Sequence, residues 1–173
     1  IPSHASQPEK GRNPSYAIAN IINSIPELIS PENNKGMVLC TIVQIDVGER
    51  AFGTSASSGD LCMTIRALYE EEMDRLQKNL EDIATQEAEK YGLDVSFEYY
   101  DAFPETFNHE ESADKIRQAA KNKGFELLEM KEAGRGSEDF GHFPKYTKGA
   151  ICRIGNGADY PEHHTNEFDF RDE

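Results

Sequence analysis

The sequence predicts an α+β protein, and three observations carry that prediction. Long stretches place apolar residues at helical spacing. Shorter ones alternate, or run β-branched, over strand lengths. Glycine and proline punctuate the joins.

Asn13 followed by Pro14 offers a helix N-cap and a proline at the first helical position. Ile18, Ile21, Ile22, Ile25, Leu28 and Ile29 then recur at helical spacing, and Pro31 closes the segment. "MVLCTIVQIDVG" is β-branched and short enough for a strand, while "DLCMTIRAL" alternates with Leu61, Met63, Ile65 and Ala67 on one face. The small, polar "GERAFGTSASSG" between them reads as the connection of a hairpin. From about Glu70 to Tyr91 a helical stripe of Met73, Leu76, Leu80, Ile83, Ala84 and Ala88 follows, with Gly92 where a C′ glycine is expected. "DVSFEYY" then alternates as a third strand, aligning Val95, Phe97 and Tyr99. The order helix, strand, strand, helix, strand would become ferredoxin-like β-α-β-β-α-β with one strand ahead of Ile1.

After "AFPETFNHEES" the character of the chain changes. A helix from about Ser112 to Lys123 leads through Gly124 to a short strand, "FELLEM". A glycine-rich loop, "AGRGSEDFGHF", precedes a further strand, "GAICRIGNG". These elements are too few to close a core and read as part of a larger sheet. The expected division is therefore residues 1–105 and 106–173.

With 37% hydrophobic and 29% charged residues the chain reads as soluble and globular, and no apolar run approaches the ~20 residues of a membrane span. A formal charge of −14 argues against nucleic acid, which is held by basic patches, and suits a small substrate. "IPSHASQPEKGR" resembles neither a signal peptide nor a natural start, so a longer parent is expected. Cys40, Cys62 and Cys152 form no CxxC pair and read as reduced, buried core thiols of a cytoplasmic protein.

Several positions are candidates for chemistry. His163 and His164 sit among carboxylates and are either metal ligands or solvated surface; His4 is far away in sequence. His109 and His142 read as loop-surface histidines. In "GRGSEDFGHF", Ser137 and Glu138 belong to a substrate loop, or Ser137 and Asp139 start a short helix. Arg66 either anchors a substrate carboxylate through its fork or pairs with surface acids. No HExxH, GxSxG or Walker loop is present.

Four stretches in order resemble the metal-dependent aminoacylase/carboxypeptidase family of amidohydrolases. "SHASQPEKGRNPSYAIANII" is similar to its Gly/Ser-His-Ala-x-x-Pro-x-x-Gly-x-Asn/Asp-Pro segment, and "LCMTIRAL" to its Gly-Thr-Ile-Arg strand. "GSEDFGHF" is similar to its Gly-Ser-Glu-Asp-Phe loop, and "HTNEFDFRDE" to its closing His-x-x-x-Tyr/Phe-x-Phe-x-Asp-Glu. The resemblance implies a ferredoxin-like lid, which also makes a homodimer, inserted in an α/β catalytic domain. That domain carries two divalent metal ions, zinc with manganese or cobalt as alternatives.

On that pattern His164 is the last metal ligand and His163 its neighbour, while His4 is the lid histidine that stabilises the oxyanion in the partner's active site. Arg66, Ser137 and Glu138 would meet substrate. The family's Gly-Gly-x-Ala-x-Asn has Gly53 in place of its asparagine, so that polar contact to the neighbouring subunit is lost or made by backbone. The implied activity is metal-dependent hydrolysis of the amide of an N-acyl amino acid or small peptide, with the glutamate base and most ligands ahead of Ile1. The 173 residues alone are then expected to be inactive. The alternative is a non-catalytic dimerisation or ligand-binding module of the same origin.

Overall fold

The computed structural model describes residues 1–155, 157 and 159–169. Its elements are α1 (Ser15–Leu28), β1 (Val38–Val47), β2 (Gly59–Ala67), α2 (Glu70–Tyr91) and α3 (Glu110–Lys123). Short 3-10 turns lie at Pro8–Lys10, Pro31–Asn33 and Asp139–His142. The chain divides into two compact units, Ile1–Glu105 with Glu132–Gly136, and Thr106–Lys131 with Ser137–Glu173.

In the first unit the helix start falls one residue after the predicted one. Pro14 is the N-cap, its carbonyl taking the Ile18 N–H, and the Asn13 side chain supports it by accepting the Ser15 N–H at 2.9 Å. Ala17, Ile18, Ile21 and Ile25 form the buried stripe of α1. It runs only to Leu28, because Ser30 starts the separate turn Pro31–Asn33. The end of α2 is fixed by Gly92 at φ +64, a left-handed conformation open to glycine without a Cβ clash. The Leu93 N–H returns to the Ala88 carbonyl and the Gly92 N–H to Glu89, a Schellman closure.

β1 and β2 pair antiparallel, with Val38 opposite Ala67, Cys40 opposite Ile65 and Ile42 opposite Met63. The register then slips by one, leaving Val43 unpaired, and resumes with Gln44 opposite Cys62, Ile45 opposite Leu61 and Val47 opposite Gly59. Strand β1 is thus two alternating half-runs out of phase by one residue. The bulge turns both apolar sets to the face covered by the helices. Ile25, Val38, Leu76 and Leu80 form the core there, with Leu28, Ile29, Cys40, Met63, Ile65 and Ala67 packed against it. The opposite face carries Arg66, Thr41, Thr64, Gln44, Cys62, Asp46 and Asp60.

Glu72 is the exception to a dry core. It is 1% exposed on the first turn of α2, and its carboxylate accepts the backbone N–H groups of Lys35 at 2.5 Å and Gly36 at 3.1 Å. Arg75 Nη2 lies 3.3 Å away, one helical turn on. The carboxylate therefore stitches the α1–β1 connection to the helix start.

Three predicted strands do not form. Residues 93–109 have no regular structure, and Val95, Phe97 and Tyr99 remain 41–55% exposed. "FELLEM" and the described residues of "GAICRIGNG" are likewise irregular. Alternation gives a segment one apolar face, but a strand also needs a neighbour to take its N–H and C=O groups. Among the described residues only β1 and β2 supply that to each other.

In the second unit α3 begins two residues before the predicted start, at the His109 cap, and closes at Gly124 through the Phe125 N–H to the Ala120 carbonyl. All eight buried core side chains among the described residues, from Ala17 to Ala88, belong to the first unit.

Candidate functional site

His4 sits on a short frame in the first unit, built between residues fifty apart. It bridges Thr54 in antiparallel fashion. The Ala5 N–H goes to the Gly53 carbonyl at 3.0 Å, and the Ser55 N–H to the Ser3 carbonyl at 2.8 Å. Ser3 also donates its N–H to Ser55 Oγ at 2.9 Å. Gly11 packs so closely that a Cβ there would lie 2.5 Å from Ser3 Oγ. The imidazole itself is exposed, with Nδ1 turned back on Ser6, 2.7 Å from its hydroxyl and 3.1 Å from its backbone N–H. The backbone contact at Gly53 is to its carbonyl, so this glycine takes part in the frame without a side chain.

Arg66 lies on the polar face of β2, opposite Leu39, and donates from Nη1 to the Arg135 carbonyl at 3.0 Å. That carbonyl lies in the Glu132–Gly136 stretch, which belongs to the same unit as Arg66.

In the second unit, Ser137 and Glu138 are exposed and precede the turn Asp139–His142. Glu138 is its N-cap residue in extended conformation, yet its side chain makes no cap bond. The turn is closed by the Phe143 N–H to the Phe140 carbonyl, and the two rings pack 5.7 Å apart.

The histidine pair separates. His163 packs its ring on Phe168, centroids 4.6 Å apart. His164 is exposed and holds φ +68, a left-handed conformation that costs a non-glycine residue roughly 1–2 kcal/mol. Of the closing stretch that carries the resemblance, Phe170 to Glu173 lie outside the described residues. His109 is more than a surface residue: it caps α3, its Nδ1 accepts the Gly149 N–H at 3.2 Å, and its ring packs on Phe107.

No group of three or more His, Cys, Asp and Glu side chains among the described residues could hold a metal ion. A catalytic zinc takes three protein ligands, so these residues do not by themselves fit the two ions the resemblance implies. Ion pairing lies elsewhere. Arg117 gathers Glu110, Asp114 and Glu129 at 2.9–3.1 Å, and these carboxylates raise its pKa further. The cysteines are free, as expected, but only Cys40 is half-buried, and burial pushes its thiol up. Cys62 is exposed because strand alternation puts it on the polar face, and Cys152 is exposed too. No helix among the described residues is long and apolar enough to cross a membrane.

Sequence reasoning missed Ser6, Thr54 and Ser55 around His4. The spacing of Ser6, two residues after a histidine, is the one local signal that could have found it.

The α-β-β-α unit corresponds to a known class of domain. The family model described as the peptidase dimerisation domain matches residues 1–92, more than half of the chain, and the chain belongs to that family, of M20 type. Its α+β fold is the fold of that domain.

Among curated proteins, the chain is similar to N-acetyldiaminopimelate deacetylase of Streptococcus sanguinis, 28% identical over 167 residues. That alignment covers 93% of the chain and 43% of the relative. It is also similar to hippurate hydrolase of Campylobacter jejuni, 26% identical over 169 residues, with 94% and 43% covered. The chain thus spans less than half the length of the curated relatives it matches.

Among solved structures, one assigned as an aminohydrolase of methicillin-resistant Staphylococcus aureus superposes with a TM-score of 0.74 at 22% identity. It is covered over 43% of its length by 94% of this chain. A dinuclear metal-binding peptidase of the M20 family from Bacillus subtilis gives 0.64 at 18% identity, with 82% of this chain and 36% of that one covered.

Proposed function

We propose that this chain is the lid and dimerisation part, residues 1–105, together with a returning piece of the catalytic domain, residues 106–173, of a metal-dependent amidohydrolase. Its substrate is an N-acyl amino acid or small peptide, and its working form a cytoplasmic homodimer joined through the lid. The observation that carries this reading is the alignment of nearly the whole chain, in order, with a deacetylase and a hippurate hydrolase. A second observation supports it: among the described residues none of the eight core side chains lies in the second unit, where Phe125, Leu128 and Ile154 are 69–88% exposed, as expected of part of a larger sheet.

The chemistry assigned to this chain is that of its own groups. His4 donates a hydrogen bond to the carbonyl oxygen of the scissile amide as negative charge grows on it. Arg66, Ser137 and Glu138 bind substrate. His164 is the single metal ligand supplied by the described residues. Two divalent ions, zinc with manganese or cobalt as alternatives, complete the site with ligands outside this chain.

The test uses the longer protein that contains this chain. Metal content and hydrolysis of N-acetyl- and N-benzoyl-amino acids are measured for wild type, His164→Ala and His4→Ala. His164→Ala is expected to lose metal and activity together. His4→Ala is expected to keep metal and lose roughly 2.7–4 kcal/mol of barrier lowering, the value of one oxyanion donor. Unchanged metal and rate in His164→Ala would remove the ligand assignment. A metal-free, inactive wild type would leave the non-catalytic dimerisation or ligand-binding module.

A further inference from the structure

The surroundings of His4 determine which of its nitrogens carries the proton. Nδ1 lies 3.1 Å from the Ser6 backbone N–H, in hydrogen-bonding geometry, and 2.7 Å from Ser6 Oγ. A hydroxyl can donate or accept, but a backbone N–H can only donate. Nδ1 must therefore be the acceptor, and the proton of the neutral ring sits on Nε2. The same clamp fixes the ring direction, because both contacts come from the residue two places on. The loop beneath is anchored by the Gln7 N–H to the His4 carbonyl at 2.8 Å and by the bonds to Gly53 and Ser55. The imidazole stays exposed on top of it.

We propose that Ser6 is a positioning residue: its N–H and hydroxyl hold His4 as the Nε2–H tautomer, committing the exposed nitrogen to donate a hydrogen bond to a substrate oxygen and barring it from acting as a base. This rests on the reading of His4 as the oxyanion donor and adds what makes it one. An imidazole free to exchange tautomers would present a lone pair to the oxygen part of the time, and a lone pair facing a developing negative charge is repulsive. Removing the hydroxyl leaves one of two restraints, so the ring swings. Removing the N–H as well frees the tautomer.

Two measurements separate this proposal from the reading beneath it. The first needs no activity. Long-range ¹⁵N–¹H correlation spectra of the labelled chain are recorded at mildly alkaline pH, with the His4 signals identified by their loss in His4→Gln. Wild type is expected to show one Nε2–H species, and Ser6→Pro, which lacks the N–H, a mixture. An Nδ1–H species in wild type, or a spectrum unmoved in a folded Ser6→Pro, would overturn the clamp. If Ser6→Pro does not fold, the wild-type spectrum and the second measurement still decide.

The second measures turnover in the longer protein. Ser6→Ala is expected to lower kcat roughly 10- to 100-fold, as for a misplaced catalytic group, with KM and metal content unchanged and with recovery in Ser6→Thr. A wild-type kcat in Ser6→Ala, beside an impaired His4→Ala, would overturn the role of Ser6 alone. A wild-type kcat in His4→Ala would overturn both, and the spectrum would still report whether the clamp exists.

Discussion

Replacing Glu72 with alanine tests whether one buried carboxylate holds the first unit together. The side chain is 1% exposed and accepts two backbone N–H groups, those of Lys35 and Gly36. A hydrogen bond to a charged group contributes about 1.5–3 kcal/mol, and a buried donor left alone costs about 1–3 kcal/mol. Lys35 is exposed, so water can take over its N–H, whereas Gly36 packs against Tyr69 and Leu68 and its N–H is harder to rehydrate. The alanine variant should therefore lose roughly 2–4 kcal/mol, a large share of the 5–15 kcal/mol typical of a domain. Urea unfolding followed by far-UV circular dichroism reads this directly. In a thermal scan the loss corresponds to a fall in Tm of at least roughly 10 °C. Glu72→Gln keeps the shape but aims an amide N–H₂ at one of the two donors, so it should also destabilise, by less. Arg75→Ala is the comparison: its side chain is 46% exposed but reaches Glu72, Asn33 and Asn34, so removing it should destabilise too, by less than the loss of Glu72 itself. An alanine variant within about 0.5 kcal/mol of wild type, the range of an ordinary surface change, would refute the reasoning.

Two further outcomes are expected. Gly92→Ala forces a Cβ into a left-handed conformation and should destabilise the first unit by roughly 1–2 kcal/mol in urea, with no loss taken as evidence that the helix end re-forms elsewhere. In the second unit, Lys148 and Lys115 hold the Glu111 carboxyl below its ordinary value of 4.5. Its contribution is therefore complete above pH 4.5 and lost as pH falls below that. Glu111→Gln should flatten the fall in urea midpoint between about pH 6 and about pH 3, and an unchanged slope would discount the pairing.

Where the deciding interactions were local, the sequence could be read. Asn13–Pro14, the stripe from Met73 to Ala88 and Gly92 each act within one or two helical turns, and the structure has them within one residue of the expected place. The hairpin was equally legible, because its strands are joined by one small, polar connection and pair with each other. Failures came where a partner distant in sequence decides. "DVSFEYY" has the alternation of a strand, but alternation cannot supply a neighbouring backbone. Glu72 looked like any first-turn acid on a helix, since what buries it is a turn 36 residues earlier. His4 was found by motif alone, while the frame that aims it comes from Gly53, Thr54 and Ser55. Cys62 shows the opposite error: thiols are often buried, but here the strand's own alternation overrides that tendency.

The unpaired Val43 has a consequence for how this hairpin tolerates change in length. Removing Val43 alone would leave all nine pairings in place and restore a regular ladder. Removing a residue further along β1 would close the bulge too, but it would turn over the stretch between the cut and Val43. The strand's inside and outside are thus set by a counted position more than by any side chain. Substitutions along it can only tune the fit, while a single insertion or deletion decides which way the strand faces.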